Sequence, residues 1–214
     1  MSQPTDNLCQ YGVQRPNLGW EIRYNDGTFV VTQDLPMHYT LADKSAIEAI
    51  KTLFCQTFTD SEGEVEGQLI GQLASDLIEQ THNDALFIYI AAEGEAVVGA
   101  IFFTRLHYPC GTPVFVMAPV AVATSCHGQG IGQALIAFGL QEIKAQGVEV
   151  AVTYGDPNFY HKAGFVPVDT QTIAAPYSLQ FPHGWQAQSL TGEALPVLKG
   201  PVTCVAAFCD PQFW

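Results

Sequence analysis

The sequence predicts an α/β (α+β) protein: one core domain of strands and helices, with a short extension at either end. Apolar residues recur at helical spacing over 44–58 (Ile47, Ile50, Phe54, Phe58) and fill most of 131–145. Between these helices three apolar runs, 86–92, 96–107 and 113–122, are separated by the turn-forming Glu93-Gly94-Glu95 and Pro109-Cys110-Gly111. A chain of 214 residues that is 48% hydrophobic and 14% charged is too apolar for disorder and long enough for one buried core.

The elements follow in order. Trp20-Glu21-Ile22-Arg23-Tyr24 and Thr28 to Thr32 flank Asn25-Asp26-Gly27, a hairpin signature, so 1–36 reads as an extension carrying a β-hairpin. Asp43 is placed to cap the helix over 44–58. An acidic loop, Thr59 to Gly67, then leads to a second helix marked by Leu69, Leu73 and Leu77 and ending near Glu79. The three apolar runs pair most simply as a meander. A glycine-rich turn opens the largely buried helix 131–145, stopped by Gly147, and the next strand covers Val148 to Tyr154. Asp156-Pro157 opens a short helix, and Gly164 leads into a last core strand from Phe165. The core therefore spans 37–170. Beyond it, 171–214 is rich in Pro and Gly, and irregular structure plus one strand is expected, with Phe213-Trp214 docked on the body.

Charge and cysteine usage narrow the function. Eight Lys+Arg against 21 Asp+Glu leave a net charge of −13, a field that repels nucleic-acid phosphates and favours cationic partners. No run reaches the length of a membrane helix, and MSQPTDNLCQ lacks the features of a signal peptide, so a cytoplasmic location is expected. Cys9, Cys55, Cys110, Cys126, Cys204 and Cys209 form no CxxC pair and no metal-ligand rhythm with the histidines, which predicts reduced thiols and no metal.

The residues that carry chemistry are His127-Gly128-Gln129-Gly130-Ile131-Gly132, with Gln133 following. They join a strand to a helix, where unpaired N–H groups and the positive end of the helix dipole converge on one point. Alternating glycines let phosphate oxygens reach the main chain, and Ile131 can turn inward as an anchor. Counting from Gly128 and Gly130, the third glycine of a dinucleotide fingerprint would be Gln133, and no Gly-Lys-Ser/Thr triplet of a P-loop follows. The stretch resembles the pyrophosphate motif of the GNAT superfamily of N-acetyltransferases, Arg/Gln-x-x-Gly-x-Gly/Ala. Upstream, Val116 to Val122 resembles that family's fourth strand, and downstream Tyr160-His161-Lys162-Ala163-Gly164-Phe165 resembles its Tyr-x-x-x-Gly-Phe signature. Residues 38–168 follow the family plan in order. Gly155-Asp156-Pro157-Asn158-Phe159-Tyr160 resembles most closely a branch of predicted, mostly uncharacterised N-acetyltransferases.

The resemblance implies a mixed, mostly antiparallel central sheet flanked by helices, and acetyl-CoA as cosubstrate. It implies pantetheine contacts at Val120, Ala121 and Val122 and pyrophosphate contacts over His127, Gly128, Gln129, Gly130, Ile131, Gly132 and Gln133. Tyr160 is the implied general acid, and the joint before the second helix, with Glu62, Glu64 and Glu66, borders the implied site for a primary amine. Two residues depart from the pattern: His127 replaces the usual Arg or Gln, and Met117 stands where relatives place a glutamate base. That leaves His38, His107 and His161 as candidate bases, and a CoA-binding sensor or structural module without acetyl transfer as the alternative. Cys126 has no activating His-Asp pair nearby in sequence and is set aside as a nucleophile. A homodimer is common in the resembling family.

Overall fold

The computed structural model describes residues 20–25, 28–33 and 36–214. Residues 1–36 and 37–214 are two separate units. In the first, β1 (Trp20–Asn25) and β2 (Thr28–Gln33) pair antiparallel from Asn25 opposite Thr28 to Trp20 opposite Gln33. The Asp26-Gly27 turn lies outside the described residues.

The second unit is built on a seven-stranded sheet. Its strands are β3 (Met37–Leu41), β4 (Leu86–Glu93), β5 (Ala96–Leu106), β6 (Val114–Val122), β7 (Val150–Tyr154), β8 (Val166–Pro167) and β9 (Trp185–Ser189). Their spatial order is β3-β4-β5-β6-β7-β9-β8, and β6–β7 is the one parallel pair, so the sheet is mixed and mostly antiparallel. The expected meander is β4-β5-β6.

Alternation along the strands divides the core into two layers. On one face Phe102, Val114, Val116, Val150 and Val152 meet α1 (Ile47–Glu62) and α2 (Glu64–Gln80) through Ile50, Phe54, Leu73 and Leu77. On the other, Ile101, Phe103, Phe115, Met117 and Ala151 meet α3 (Ile131–Ala145) through Ile131, Leu135, Ile136 and Ile143. Helix α3 buries one stripe and leaves Ala134, Ala137, Gln141, Lys144 and Ala145 exposed, so it is less buried than its apolar outline predicts: small alanines, not large apolar side chains, make up most of its outer face.

The two-helix layer differs from expectation. Asp43 does cap, accepting from the Ser45 N–H at 2.8 Å, but it caps a single 3₁₀ turn, Lys44–Ala46, before α1 begins. There is no acidic loop at 59–67. Helix α1 runs on to Glu62, and Gly63 alone joins it to α2, with Glu64 and Glu66 in the first turn of α2. A φ of 98° at Gly63 makes this reversal possible, a conformation other residues rarely adopt. The helices then pack closely: a Cβ at Gly67 would lie 1.9 Å from Thr59 Oγ1. Glutamates are good helix formers and sit well at a helix N-terminus, so a run of them need not mark a loop.

The strand after Gly164 is also shorter than expected. Phe165 is a buried anchor rather than part of a strand, and β8 is two residues at the sheet edge. The interior place beside β7 is taken by β9, from the Pro- and Gly-rich segment after 170. The apolar stretch 203–208 forms one bridge, Thr203 with His107, followed by a 3₁₀ turn, Ala206–Phe208. Trp214 is 2% exposed, its Nε1–H donates to the Phe208 carbonyl at 3.0 Å, and its ring lies 6.1 Å from that of Trp185. No helix among the described residues is long and apolar enough to cross a membrane.

Candidate active site

A split in the sheet creates the site. Strands β6 and β7 pair only from Val114–Val150 to Val116–Val152 and then diverge, and Thr153 Oγ1 donates across the start of the gap to the Met117 carbonyl at 3.0 Å. Beyond this point β6 keeps its partner on one side only. The register with β5 slips where Phe102 faces Ala118 and Pro119, and Pro119 has no N–H to give. Pairing then resumes, with the Ala123 N–H donating to the Val98 carbonyl at 2.8 Å. In an antiparallel pair bonding alternates, so Ala121 bonds toward β5. The N–H groups of Val120 and Val122 accordingly face the gap.

The gap opens into a cleft of about 520 Å³. Its inner wall is Val120, Ala121 and Val122; one side is the C-terminal turn of α1, with Thr57, Phe58, Ser61 and Glu62; the other is the loop into α3 together with Phe159, Tyr160 and Lys162. Thr124 Oγ1 donates to Asp60 Oδ2 at 2.7 Å, which ties the end of α1 to the start of that loop.

In the loop, Gly128 and Gly130 both take left-handed φ values, 76° and 79°. Gly130 is the N-cap of α3, and no side chain caps the helix. The first helical bond is Ala134 N–H to the Gly130 carbonyl, 3.0 Å, which leaves the N–H groups of Ile131, Gly132 and Gln133 without helical partners at the cleft wall. Ile131 is 6% exposed and anchors this end in the α3 layer. A Cβ on Gly128 or Gly130 would meet nothing within 4 Å, so glycine serves the backbone here rather than making room. An uncapped helix N-terminus in an open cleft fits an anionic group such as a pyrophosphate.

The segment Gly155 to Tyr160 sets the opposite wall. Asp156 accepts from the Asn158 N–H at 2.9 Å and Pro157 occupies the first turn of α4 (Pro157–Tyr160). A Cβ on Gly155 would lie 2.8 Å from Tyr160 Cε2, so this glycine makes space for the tyrosine ring. That ring packs on Phe159 at 5.1 Å and Phe165 at 6.0 Å. Burial pushes the Tyr160 phenol above its usual pKa of 10, the Thr153 hydroxyl opposes this, and the Asp156 charge adds to it. Gln133 Nε2 donates to the Phe159 carbonyl at 3.2 Å and links the two walls.

Of the residues singled out in the sequence, Val120, Ala121, Val122, His127, Gly128, Gly130, Ile131, Gly132, Gln133, Tyr160 and Glu62 line the cleft, as does Cys126, which was set aside as a nucleophile. Gln129 is exposed and does not. Neither do Glu64, which holds Gln68 Nε2 at 3.2 Å, Glu66, His38, His107 or His161. His127 folds back so that Nε2 lies 2.7 Å from the Val122 carbonyl; a carbonyl only accepts, so that nitrogen carries the proton and is committed. Met117 is fully buried in the α3 layer, which leaves no acidic group at that point of β6. Thr57, Phe58, Ser61, Phe159 and Lys162 were not foreseen. For the α1 residues the available signal was spacing, since positions 57 and 61, and 58 and 62, stack on one helical face.

Comparison with known proteins shows the family and the fold. Residues 84–167 match the model of the acetyltransferase (GNAT) domain. The chain is 30% identical over 175 residues to the uncharacterized N-acetyltransferase YjhQ of Escherichia coli (strain K12), covering 78% of this chain and 92% of the relative. Its fold is like that of the GNAT family N-acetyltransferase YhbS from Escherichia coli, solved in complex with CoA: TM-score 0.67, 23% identity, 82% of this chain and 93% of that one. It is also like a GNAT family acetyltransferase from Brucella melitensis solved with acetyl-CoA, with TM-score 0.59, 23% identity, and coverage of 81% and 99%. By sequence relationship and by fold, this chain belongs to the GNAT family of N-acetyltransferases.

Proposed function

We propose that this chain transfers the acetyl group of acetyl-CoA directly to a primary amine. The observation that carries the reading is the continuity of two features in one cleft: the uncapped N–H groups of Ile131, Gly132 and Gln133, and the unpaired edge of β6 at Val120 and Val122. The first suits the pyrophosphate, with the left-handed turns at Gly128 and Gly130 bringing bare main chain to the surface. The second suits the amide-bearing pantetheine arm, which can add to a strand edge through hydrogen bonds.

Bound there, the cosubstrate supplies a thioester carbonyl and a thiol leaving group. The N–H groups of Val120 and Val122 face the cleft and can polarise a carbonyl oxygen. Tyr160 Oη holds its proton at neutral pH and is the donor for a departing sulfur. Among the described residues Glu62 is the one carboxylate lining the cleft, and we assign it to the acceptor side, where it attracts the cationic form of the amine and takes up its proton, directly or through water. The net charge of −13 favours the approach of a cationic amine. The segment Gly155 to Tyr160 supports a place in the mostly uncharacterised branch that shares it.

Titration calorimetry with CoA, NAD and ATP tests the first step, and turnover with a panel of polyamines, amino sugars and lysine peptides tests the second. CoA alone should bind, and at least one amine should be acetylated. Equal binding of all three nucleotides would overturn the cofactor assignment. CoA binding with no acetylation of any amine would instead favour a sensor or structural module.

A further inference from the structure

Away from the cleft, two thiols face each other on the 3₁₀ turn Ala206–Phe208. Cys204, half-buried, precedes it; Cys209, exposed, follows it; and their Sγ atoms are 3.7 Å apart. The backbone on both sides is held. Thr203 exchanges two hydrogen bonds with His107 at the end of β5, at 2.9 and 3.2 Å, and within the turn Phe208 N–H donates to Val205 and Cys209 N–H to Ala206, at 2.9 and 3.0 Å. The buried Phe208 pins the turn, and its carbonyl receives the Trp214 indole N–H at 3.0 Å. The two sulfurs have only to close from 3.7 Å to the roughly 2.05 Å of a disulfide. Among the described residues no other two sulfurs make such a contact.

We propose that Cys204 and Cys209 are a thiol-oxidation site, closing reversibly into an intramolecular disulfide at the expense of a small-molecule disulfide such as oxidised glutathione. The Cys209 thiol, being exposed, loses its proton to solvent and attacks the glutathione disulfide, forming a mixed disulfide and releasing one glutathione thiolate. Cys204 then loses its proton and attacks the Cys209 sulfur, releasing the second glutathione. Two protein thiols are oxidised, one external disulfide is reduced, and no other reactant is needed. The order of attack follows from access and ionisation. Burial, with the neighbouring Cys209 adding to it, pushes the Cys204 thiol up to about 12, which disfavours it as the first nucleophile. Tyr177 and Asp210 are the titratable groups beside the pair. Neither cysteine lines the cleft, so the site is defined by thiol chemistry and not by acetyl transfer.

Treatment of the reduced full-length chain with oxidised glutathione, followed by tryptic mapping, tests this. Both cysteines fall in the peptide that follows Lys199, so the expected result is loss of the mass of two hydrogens in that peptide, reversed by dithiothreitol. The Cys209→Ser variant, altered at an exposed position, should show no loss. The Cys204→Ser variant should stop at a stable glutathione adduct on Cys209. A persistent adduct on the unaltered chain, or the same loss of two hydrogens in either variant, would overturn the proposal.

Discussion

Thr124 Oγ1 donates to Asp60 Oδ2 at 2.7 Å, and this bond joins the last turn of α1 to the loop that leads into the uncapped N-terminus of α3. Asp60 is followed directly by Ser61 and Glu62, which line the cleft, and Thr124 follows β6 by two residues. The bond therefore sets the spacing of the two sides of the cleft mouth. Being exposed, it is worth about 1 kcal/mol. Asp60→Ala and Thr124→Val should each weaken acetyl-CoA affinity about fivefold, and the double variant should lose no more than either single one. Asp60→Asn keeps an acceptor oxygen and should retain most of the affinity. Additive losses in the double variant would show that the two residues act separately.

Gly130→Ala and Gly132→Ala should differ in their effect on stability although the glycines are two residues apart. Gly130 has φ 79°, a conformation that costs other residues about 1–2 kcal/mol, whereas Gly132 is helical. A Cβ on Gly132 would meet Phe159 and Val122 at 3.5 Å, ordinary contact, and alanine favours a helix by up to about 1 kcal/mol. Denaturant unfolding should find the first variant destabilised and the second neutral or slightly stabilised. Gly130→Glu should in addition abolish CoA binding, because a negative charge would enter the anion site. Equal stabilities for the two alanine variants would contradict the backbone geometry of the loop.

Much of this was legible in the sequence because one local pattern served one purpose. Three glycines alternating before a helix mark the loop of the proposed anion site, and Gly155, Asp156, Pro157 and Tyr160 each have a separate local task in the opposite wall. The acceptor side was harder to read. Thr57, Phe58 and Ser61 belong to a helix that the apolar spacing ends at Phe58, and Glu62, Glu64 and Glu66 look equivalent as a charge run. One left-handed glycine, Gly63, ends α1 and puts only Glu62 at the cleft. Strand β9 was hidden for another reason. Its Trp185-Gln186-Ala187-Gln188 does alternate apolar and polar side chains, but the strand is only five residues long in a Pro- and Gly-rich segment, and Gln186 is fully buried, with Nε2 donating to the Gly155 and Gly184 carbonyls at 3.3 Å while Oε1 has no partner.

Glu62→Gln should separate acceptor binding from cofactor binding. The carboxylate lines the cleft and makes no ion pair among the described residues, so replacing it removes charge without breaking a structural contact. With a cationic amine as acceptor, KM for the amine should rise and kcat fall, together lowering kcat/KM by about 10²-fold if Glu62 both attracts the amine and takes its proton. The dissociation constant of CoA should stay within about twofold. A variant with unaltered amine kinetics would move the base elsewhere in the cleft.

Stability should decline above pH 10. Burial, with the Glu142 charge adding to it, raises the Tyr89 phenol to about 12, and burial also raises Tyr108, whose hydroxyl donates to the Ala174 carbonyl at 2.6 Å. In the unfolded chain both titrate near 10, so above that pH the unfolded state releases protons that the folded state retains, and unfolding becomes easier. The contribution is complete below pH 10 and is lost as pH rises toward 12, at up to about 1.4 kcal/mol per pH unit for each phenol. Tyr89→Phe removes one such group, and urea unfolding from pH 8 to 11 should give it a shallower decline than the unaltered chain. Parallel curves would show that Tyr89 does not contribute.

Tyr160→Phe should lower the acetyl-transfer rate by about 10²-fold while leaving CoA affinity almost unchanged. The hydroxyl is separable from the ring, because the position of the ring is set by packing on Phe159 and Phe165 and by the space left at Gly155, all of which phenylalanine keeps. Burial raises the phenol, so it is protonated throughout the neutral range and needs no tuning to act as an acid. Loss of the proton would remove the donor, and with a raised pKa that loss falls above pH 10. Between pH 7 and 9 the rate of the unaltered chain should therefore show no decline from Tyr160, and any rise there should report deprotonation of the amine. The variant should keep that rise at a lower overall rate, since the amine and Glu62 are untouched. Full turnover in Tyr160→Phe, or a decline in the unaltered chain between pH 7 and 9 that the variant lacks, would remove Tyr160 as the proton donor.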